Sequence, residues 1–281
     1  MIIRTMHSSD LDFAASCTAA EGWASETWQE FEGSLAYDPG GCLVAENDGQ
    51  QVGICIATHY GECSFIGELI VAPAMRGRGI GRQLLERAIE YLRSRGAQNI
   101  LLEGDPPAVP LYERTGFRIV CRSIRFAGVL QAPSHPPVRS MRAQDMDAVA
   151  ELDREAFGAD RRFFLERSLA LYPEFAKVTE HHGEIAGFIM GRRGNGLVSA
   201  GPWIIQPGLE RPADLLESLA AQAGNTSLWV GVLETNSEAV ATCRRQGLAE
   251  QPDAPWRMVL GPSGHLGLSH RAYAIGSAGK G

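Results

Sequence analysis

The sequence predicts two α/β domains of one plan in tandem, each a mixed sheet with helices on its faces. Three observations predict it. The chain has 281 residues, enough for two ordinary domains of about 140 each. It repeats itself at an offset near 134 residues. Within a copy, stretches of strand period alternate with stretches of helical period, which is the pattern of a mixed α/β sheet.

The repeat is read directly. Residues 3–12 (I-R-T-M-H-S-S-D-L-D) align with 138–147 (V-R-S-M-R-A-Q-D-M-D) at an offset of 135. Residues 49–53 (G-Q-Q-V-G) align with 183–187 (G-E-I-A-G), and 69–73 (L-I-V-A-P) with 203–207 (W-I-I-Q-P), both at 134. The offset then falls to 131, where Leu84-Leu85 meets Leu215-Leu216, residues 101–103 meet 232–234, and Gly116-Phe117 meets Gly247-Leu248. A period this long is not a solenoid repeat. Residues 127–137 hold three prolines and few apolar anchors. The expected division is therefore a first domain over 1–127, a linker over 128–137 and a second domain over 138–281.

The elements of the first copy follow in order. Residues 2–5 are a short strand and 10–20 a helix capped by Ser8, Ser9 or Asp10. A second helix runs near 26–36. Residues 42–46 and 52–58 are strands joined through Asp48-Gly49, a hairpin signal. Residues 64–71 form a long strand stopped by Pro73. Residues 79–95 carry helical apolar spacing (Ile80, Leu84, Leu85, Ala88, Ile89, Leu92) and end at Gly96. A strand at 99–103, a short helix at 109–115 and a final strand at 117–126 complete the copy.

Composition narrows the function. Apolar content of 44% and charged content of 21% are those of a soluble globular protein. A net charge of −7 argues against a general nucleic-acid binder. No run approaches the roughly 18–20 apolar residues of a membrane span, and no signal-peptide core is present, so a cytoplasmic protein is expected. The six cysteines form no C-x-x-C pair; buried reduced thiols are expected, with no metal.

The chemistry concentrates between Leu69 and Leu85 (L-I-V-A-P-A-M-R-G-R-G-I-G-R-Q-L-L). An apolar strand ends, a Gly-rich turn follows and a helix begins. Backbone N–H groups at a helix start are unpaired and sit at the positive end of the dipole, so they suit phosphate oxygens. Gly77, Gly79 and Gly81 let the backbone approach an anion, and Arg76, Arg78 and Arg82 add charge. The spacing G-x-G-x-G is not the dinucleotide fingerprint, and no Gly-Lys-Ser/Thr follows, so it is not a P-loop.

Residues 71–81 (V-A-P-A-M-R-G-R-G-I-G) resemble the acetyl-CoA motif of the GNAT superfamily of N-acetyltransferases, with Arg76, Gly79 and Gly81 at its core positions. Residues 110–117 (P-L-Y-E-R-T-G-F) resemble its second signature, which sets a tyrosine near the CoA sulfur. The first half matches over most of its length. The second resembles the degenerate C-terminal acetyltransferase-like domain of bacterial tandem members, most recognisably over 187–203 and 273–281.

The resemblance implies two GNAT-type domains with mostly antiparallel sheets, and acetyl-CoA as cosubstrate. It implies that Leu69, Ile70 and Val71 bond the pantetheine arm and that Arg76, Gly77, Arg78, Gly79, Ile80, Gly81 and Arg82 hold the pyrophosphate. It also implies direct attack by a primary amine, from a small molecule or peptide, with Tyr112 as acid at the departing sulfur. For the base, Glu68 has the best claim, ahead of Glu103, Glu62, His59 and Asp105. Glu21, Trp23, Glu26 and Trp28 fall where this family shapes its acceptor site, with Glu103 beside it; the alternative is that both tryptophans simply pack.

The second copy departs from the motif. The three missing residues fall at the loop itself, leaving P-G-L-E-R-P-A-D-L-L over 207–216, with one glycine, acids at Glu210 and Asp214, and Pro212 removing a donor. Cys243 stands where the tyrosine would be, as a plain helix cysteine. The second domain is expected to have lost CoA binding and to shape the acceptor cleft or hold a ligand of its own near His181, His182 and Trp203. An enzyme active through its first domain is the leading reading. A non-catalytic acyl-CoA or small-ligand sensor is the alternative, which Tyr112 disfavours.

Overall fold

The computed structural model describes residues 1–131, 138–262 and 268–281. Of the expected linker, residues 132–137 lie outside the described residues. The first half contains β1 (Ile2–Thr5), α1 (Leu11–Ala20), α2 (Trp28–Tyr37), β2 (Cys42–Asn47), β3 (Gln50–Tyr60), β4 (Cys63–Val71), α3 (Ile80–Ser94), β5 (Asn99–Gly104), α4 (Val109–Arg114) and β6 (Arg118–Gly128). The second contains β7 (Arg139–Ser140), α5 (Met146–Phe157), α6 (Arg162–Leu171), β8 (Lys177–His181), β9 (Glu184–Arg193), β10 (Leu197–Ile205), α7 (Ala213–Ala223), β11 (Ser227–Leu233), α8 (Ser237–Arg245), β12 (Ala249–Glu250), β13 (Trp256–Leu260) and β14 (Ala272–Ala274).

Local chemistry accounts for most of these limits. Asp48 and Gly49 both take positive φ (52° and 77°), the conformation a two-residue hairpin between twisted strands requires. The buried stripe of α3 (Ile80, Leu84, Leu85, Ala88, Leu92) is the one its spacing predicts. The second helix starts at Trp28, two residues later than expected, because Glu26 is held in the preceding loop. Its carbonyl accepts from the Thr18 hydroxyl at 2.7 Å and its carboxylate from Arg192 at 2.9 Å. All six cysteines are buried and unbridged. Among the described residues no helix is long and apolar enough to cross a membrane.

The strands join in one path, β1-β2-β3-β4-β5-β13-β6-β11-β10-β9-β8-β7, with β14 beside β10 and β12 beside β6. Pairing is antiparallel except at β4–β5 and β10–β11. The halves exchange strands: β6 of the first half reaches into the second, and β13 of the second into the first. β13, from the second half, lies between β5 and β6, running from Trp256↔Gly104 to Leu260↔Ile100 on one side. β6, from the first half, continues past β13 to pair with β11 from Ser123↔Leu233 to Gly128↔Leu228. The cores follow the exchange: Met258 packs with Leu84, Leu102 and Tyr112, while Phe126 packs with Trp203, Leu219 and Val230. The sequence division after residue 127 did not foresee this. Repeat matching aligns strands along the chain and carries no information on which neighbour a final strand selects.

Candidate active site

The parallel contact of β4 with β5 runs only from Cys63↔Asn99 to Ile66↔Leu102. Beyond it β4 bulges: Ile56 pairs with Gly67 and Ile54 with Ile70, so Glu68 and Leu69 together oppose Cys55. Glu68 takes φ 46°, in the left-handed region that a non-glycine residue rarely adopts. The bulge turns Leu69, Ile70 and Val71 away from β5 and opens a groove of about 740 Å³, lined by Gly67 to Val71, Met75 to Gly77, Gly79 to Arg82, and the face of α4.

The Gly-rich turn forms the far end of this groove. Gly77 and Gly79 both have positive φ (77° and 79°), and Gly79 caps α3. A side chain at Gly77 would meet nothing nearby, so the space over the turn is open for a ligand. The Arg76 guanidinium bonds the Val71 carbonyl at 2.9 Å and pairs with Glu21. Arg82 pairs with Glu86 at 2.8 Å. Arg76 and Arg82 line the groove, whereas Arg78 is exposed and does not. Of the three arginines expected at this turn, two line the groove.

Tyr112 reaches the same groove from α4. Its ring stands edge-on to Phe117 at 6.0 Å and lies so close over Gly104 that a Cβ there would come within 2.9 Å of it. Burial pushes its phenol well above the ordinary value, so the group keeps its proton. Among the described residues no hydrogen bond engages its hydroxyl.

A second cavity, of about 290 Å³, adjoins the groove between the two halves. Trp23, Gly67, Glu68, Glu103 and Asp105 line both. Its wall also includes Ser25, Glu26 and Arg125, and Leu197, Trp229, Asp253, Pro255 and Gly279 of the second half. The Glu68 carboxyl is buried, with one oxygen lacking any partner. Burial first, then the nearby Glu26 carboxylate, push it up to about 8.

The other predicted residues divide. Glu103 reaches the junction, but its side chain is 1% exposed and engaged by Arg257 (2.7 Å), Arg125 and the Ser123 hydroxyl (2.8 Å). Burial raises its carboxyl, but Arg125 and Arg257 outweigh that and hold it below the ordinary value, which removes it as a proton acceptor near neutrality. Glu26 lines the cavity, yet its carboxylate is paired with Arg192. Trp23 lines both spaces, whereas Trp28 is 41% exposed at the start of α2 and lines neither. His59 and Glu62 line neither. Asp105 lines both, and burial pushes its carboxyl up.

In the second half, Trp203 is fully buried against Tyr273 (4.9 Å), and His181 and His182 sit on the β8–β9 turn, so the three do not form a site. Burial pushes the Cys243 thiol up to about 12, which leaves it un-ionised and inert. Trp229 and Asp253 carry no local sequence signal, because each lies far along the chain from the Gly-rich motif; Gly279 and Lys280 fall within the recognisable stretch 273–281, which by itself assigns them no role.

Comparison with known proteins matches residues 6–117 to the Acetyltransferase (GNAT) family and residues 149–274 to an Acetyltransferase (GNAT) domain. A mycothiol acetyltransferase of Thermomonospora curvata is 31% identical over 121 residues, which cover 41% of this chain and 38% of that protein. This chain thus spans about two-fifths of the curated relatives it matches first. An uncharacterised N-acetyltransferase of Bacillus subtilis, YitH, is 26% identical over 209 residues, 71% of each chain. A crystal structure from Pyrococcus horikoshii superposes over 100% of this chain and 95% of its own, with a TM-score of 0.85 at 24% identity, a likeness of fold.

Proposed function

Because the chain belongs to the GNAT acetyltransferase family, we propose that its N-terminal half transfers the acetyl group of acetyl-CoA to a small primary amine seated between the two halves. The observation that carries this reading is the shared wall: the groove beside β4 and the cavity between the halves meet at Glu68.

The residues suit the cosubstrate. The unpaired part of β4 offers backbone groups to an extended amide chain, and the glycine turn with Arg76 and Arg82 suits a diphosphate at the start of α3. Bound there, acetyl-CoA supplies an activated acyl group. Glu68 takes the proton of the acceptor ammonium, directly or through water, which frees the lone pair. The new N–C bond forms as the C–S bond breaks; Tyr112 donates its proton to the departing sulfur, and the extra proton on the acylated nitrogen passes, directly or through water, to the Tyr112 phenolate and restores it. A sensor would need neither the proton-retaining Tyr112 nor a carboxyl poised near 8.

The cavity suggests the acceptor's chemistry. Asp105 and Asp253 carry no ion pair among the described residues, while Arg125 is committed to Glu103 and Ser123. Two half-buried indoles, Trp23 and Trp229, line the same space. A cationic amine with an apolar or aromatic body fits this lining, and a phosphorylated or carboxylated amine does not. Release of CoA thiol across a panel of amines tests the reading. Turnover with aryl-alkylamines above their phosphorylated counterparts is expected; the reverse order would overturn the acceptor class, and no turnover with any amine would favour the sensor.

A further inference from the structure

We propose that Gly279 and Lys280 are positioning residues for the Glu68 carboxyl, the first fixing its direction and the second its charge. The inference rests on the reading of Glu68 as the base.

Residues 276–281 thread between the halves as a closed loop. The Gly276 and Ser277 N–H groups donate to the Gly281 carbonyl (3.1 and 3.2 Å), and the Gly281 N–H donates back to the Ser277 carbonyl at 3.0 Å. The loop is clamped from both sides. Arg192 of β9 donates to the Gly276 carbonyl at 2.5 Å, Arg161 to that of Gly281, and the Tyr60 hydroxyl of β3 to that of Lys280 at 3.1 Å.

Gly279 lies directly on the bulge. A Cβ there would come 2.1 Å from Glu68 Oε1 and 2.6 Å from Oε2, and one on Gly67 would come 2.3 Å from the Gly279 Cα. Two glycine backbones thus meet face to face, and the carboxyl rests on the second. No other residue type leaves that space.

Lys280 sets the charge. Its side chain is 8% exposed; Nζ lies 2.8 Å from Glu30 Oε2 and 3.9 Å from Glu26 Oε2. The groups facing Glu68 are Glu26 before α2, Glu30 on α2, Arg192 on β9 and Lys280, with the un-ionised thiols of Cys42 and Cys55 on β2 and β3. The two cations balance the two carboxylates, so Glu68 is a third acid without a cation of its own. Of the charges drawing it down, Lys280 acts most strongly, ahead of Arg192. Without Lys280 the base would ionise only at still higher pH.

The test is the pH profile of kcat/KM for acetyl transfer in the full chain. Lys280→Met should move the acidic limb up by about one pH unit, from the loss of one nearby opposite charge. It should lower kcat/KM about tenfold at pH 7, and Lys280→Arg should restore the limb. A fall that is uniform across pH, with the limb unmoved, would show a merely structural role and overturn the proposal. Where Lys280→Met does not fold, Gly279→Ala decides: kcat at the optimum should fall at least tenfold with acetyl-CoA affinity retained, and wild-type kcat would overturn it. Glu68→Gln separates the two readings. If it keeps the acidic limb, Glu68 is not the base; if it abolishes the limb while Lys280→Met leaves it in place, only the inference about the loop fails.

Discussion

Trp203 pairs with Ala274, and this contact closes in the second half the gap that stands open beside Glu68 in the first. Trp203 is the repeat counterpart of Leu69, and β10 likewise parts from β11 after Ala200↔Val230. Here the chain fills the wedge itself. β14 pairs with β10 at Trp203 and Ile204, the Ile205 N–H donates to the Arg271 carbonyl (3.0 Å), and the Ile275 N–H to that of Gly231 (2.9 Å). The degraded loop is thus matched by a slot already occupied by backbone.

One acetyl-CoA per chain is the expected stoichiometry in calorimetric titration. Gly79→Val should weaken binding about tenfold or more, since a side chain at φ 79° costs roughly 1–2 kcal/mol in backbone strain and displaces the first N–H groups of α3. Two equivalents per chain, or full affinity in the variant, would contradict the loop assignment.

Tyr112→Phe should lower kcat by about 10²–10⁴-fold, the range for loss of general acid catalysis, with the dissociation constant of acetyl-CoA unchanged. The ring is fixed by Phe117 and Gly104, so its place survives loss of the hydroxyl. Single-turnover kinetics with unaltered rate would remove Tyr112 from the mechanism.

How much of this was legible follows from where each signal resides. The groove was, because the turn, the cap at Gly79 and the tyrosine are local patterns whose residues lie close in sequence. The cavity was not. Glu68, Trp229 and Gly279 are brought together by strand exchange and a bulge, and neither leaves a periodic mark. Glu103 shows the complementary failure: as the acid ending a strand it looked available, but its partner Arg257 lies 154 residues away and enters by β13. Sequence distance hides the ion pair that decides its protonation.

The Glu68 carboxyl also sets a sign for stability against pH. Its folded value near 8 lies above the ordinary 4.5, so the native state holds a proton that the unfolded chain releases. Stability contributed by this group is present below about pH 4.5 and lost as pH rises towards about 8. Glu68→Gln should therefore gain in Tm relative to wild type across that window and plateau above it. Glu30, lowered to about 2 against burial by Lys280 and then Arg192, runs the other way: its contribution is present above pH 4.5 and lost as pH falls towards 2. Scanning fluorimetry over pH 3–9 checks both; a Tm difference for Glu68→Gln that is flat with pH would contradict the first.

Exchange of β6 and β13 should make the two halves unfold as one cooperative unit, and Arg257 is where this is most exposed to test. Its side chain is 1% exposed, lies 5.0 Å from the Phe65 ring centre and holds Glu103, also 1% exposed, at 2.7 Å. Arg257→Met leaves Glu103 with Arg125 as its only paired cation among the described residues. Breaking a buried pair by removing one member costs about 3–5 kcal/mol, and the remaining arginine places the expected loss near the lower figure. Adding Glu103→Gln should recover part of it, because the uncompensated charge is removed. Since Arg257 belongs to the second half and Glu103 to the first, the loss should appear as a lower urea midpoint of a single transition seen alike by tryptophan fluorescence and circular dichroism. Two separate transitions in the wild-type chain, with only one shifted by Arg257→Met, would mean that the shared strands do not couple the halves.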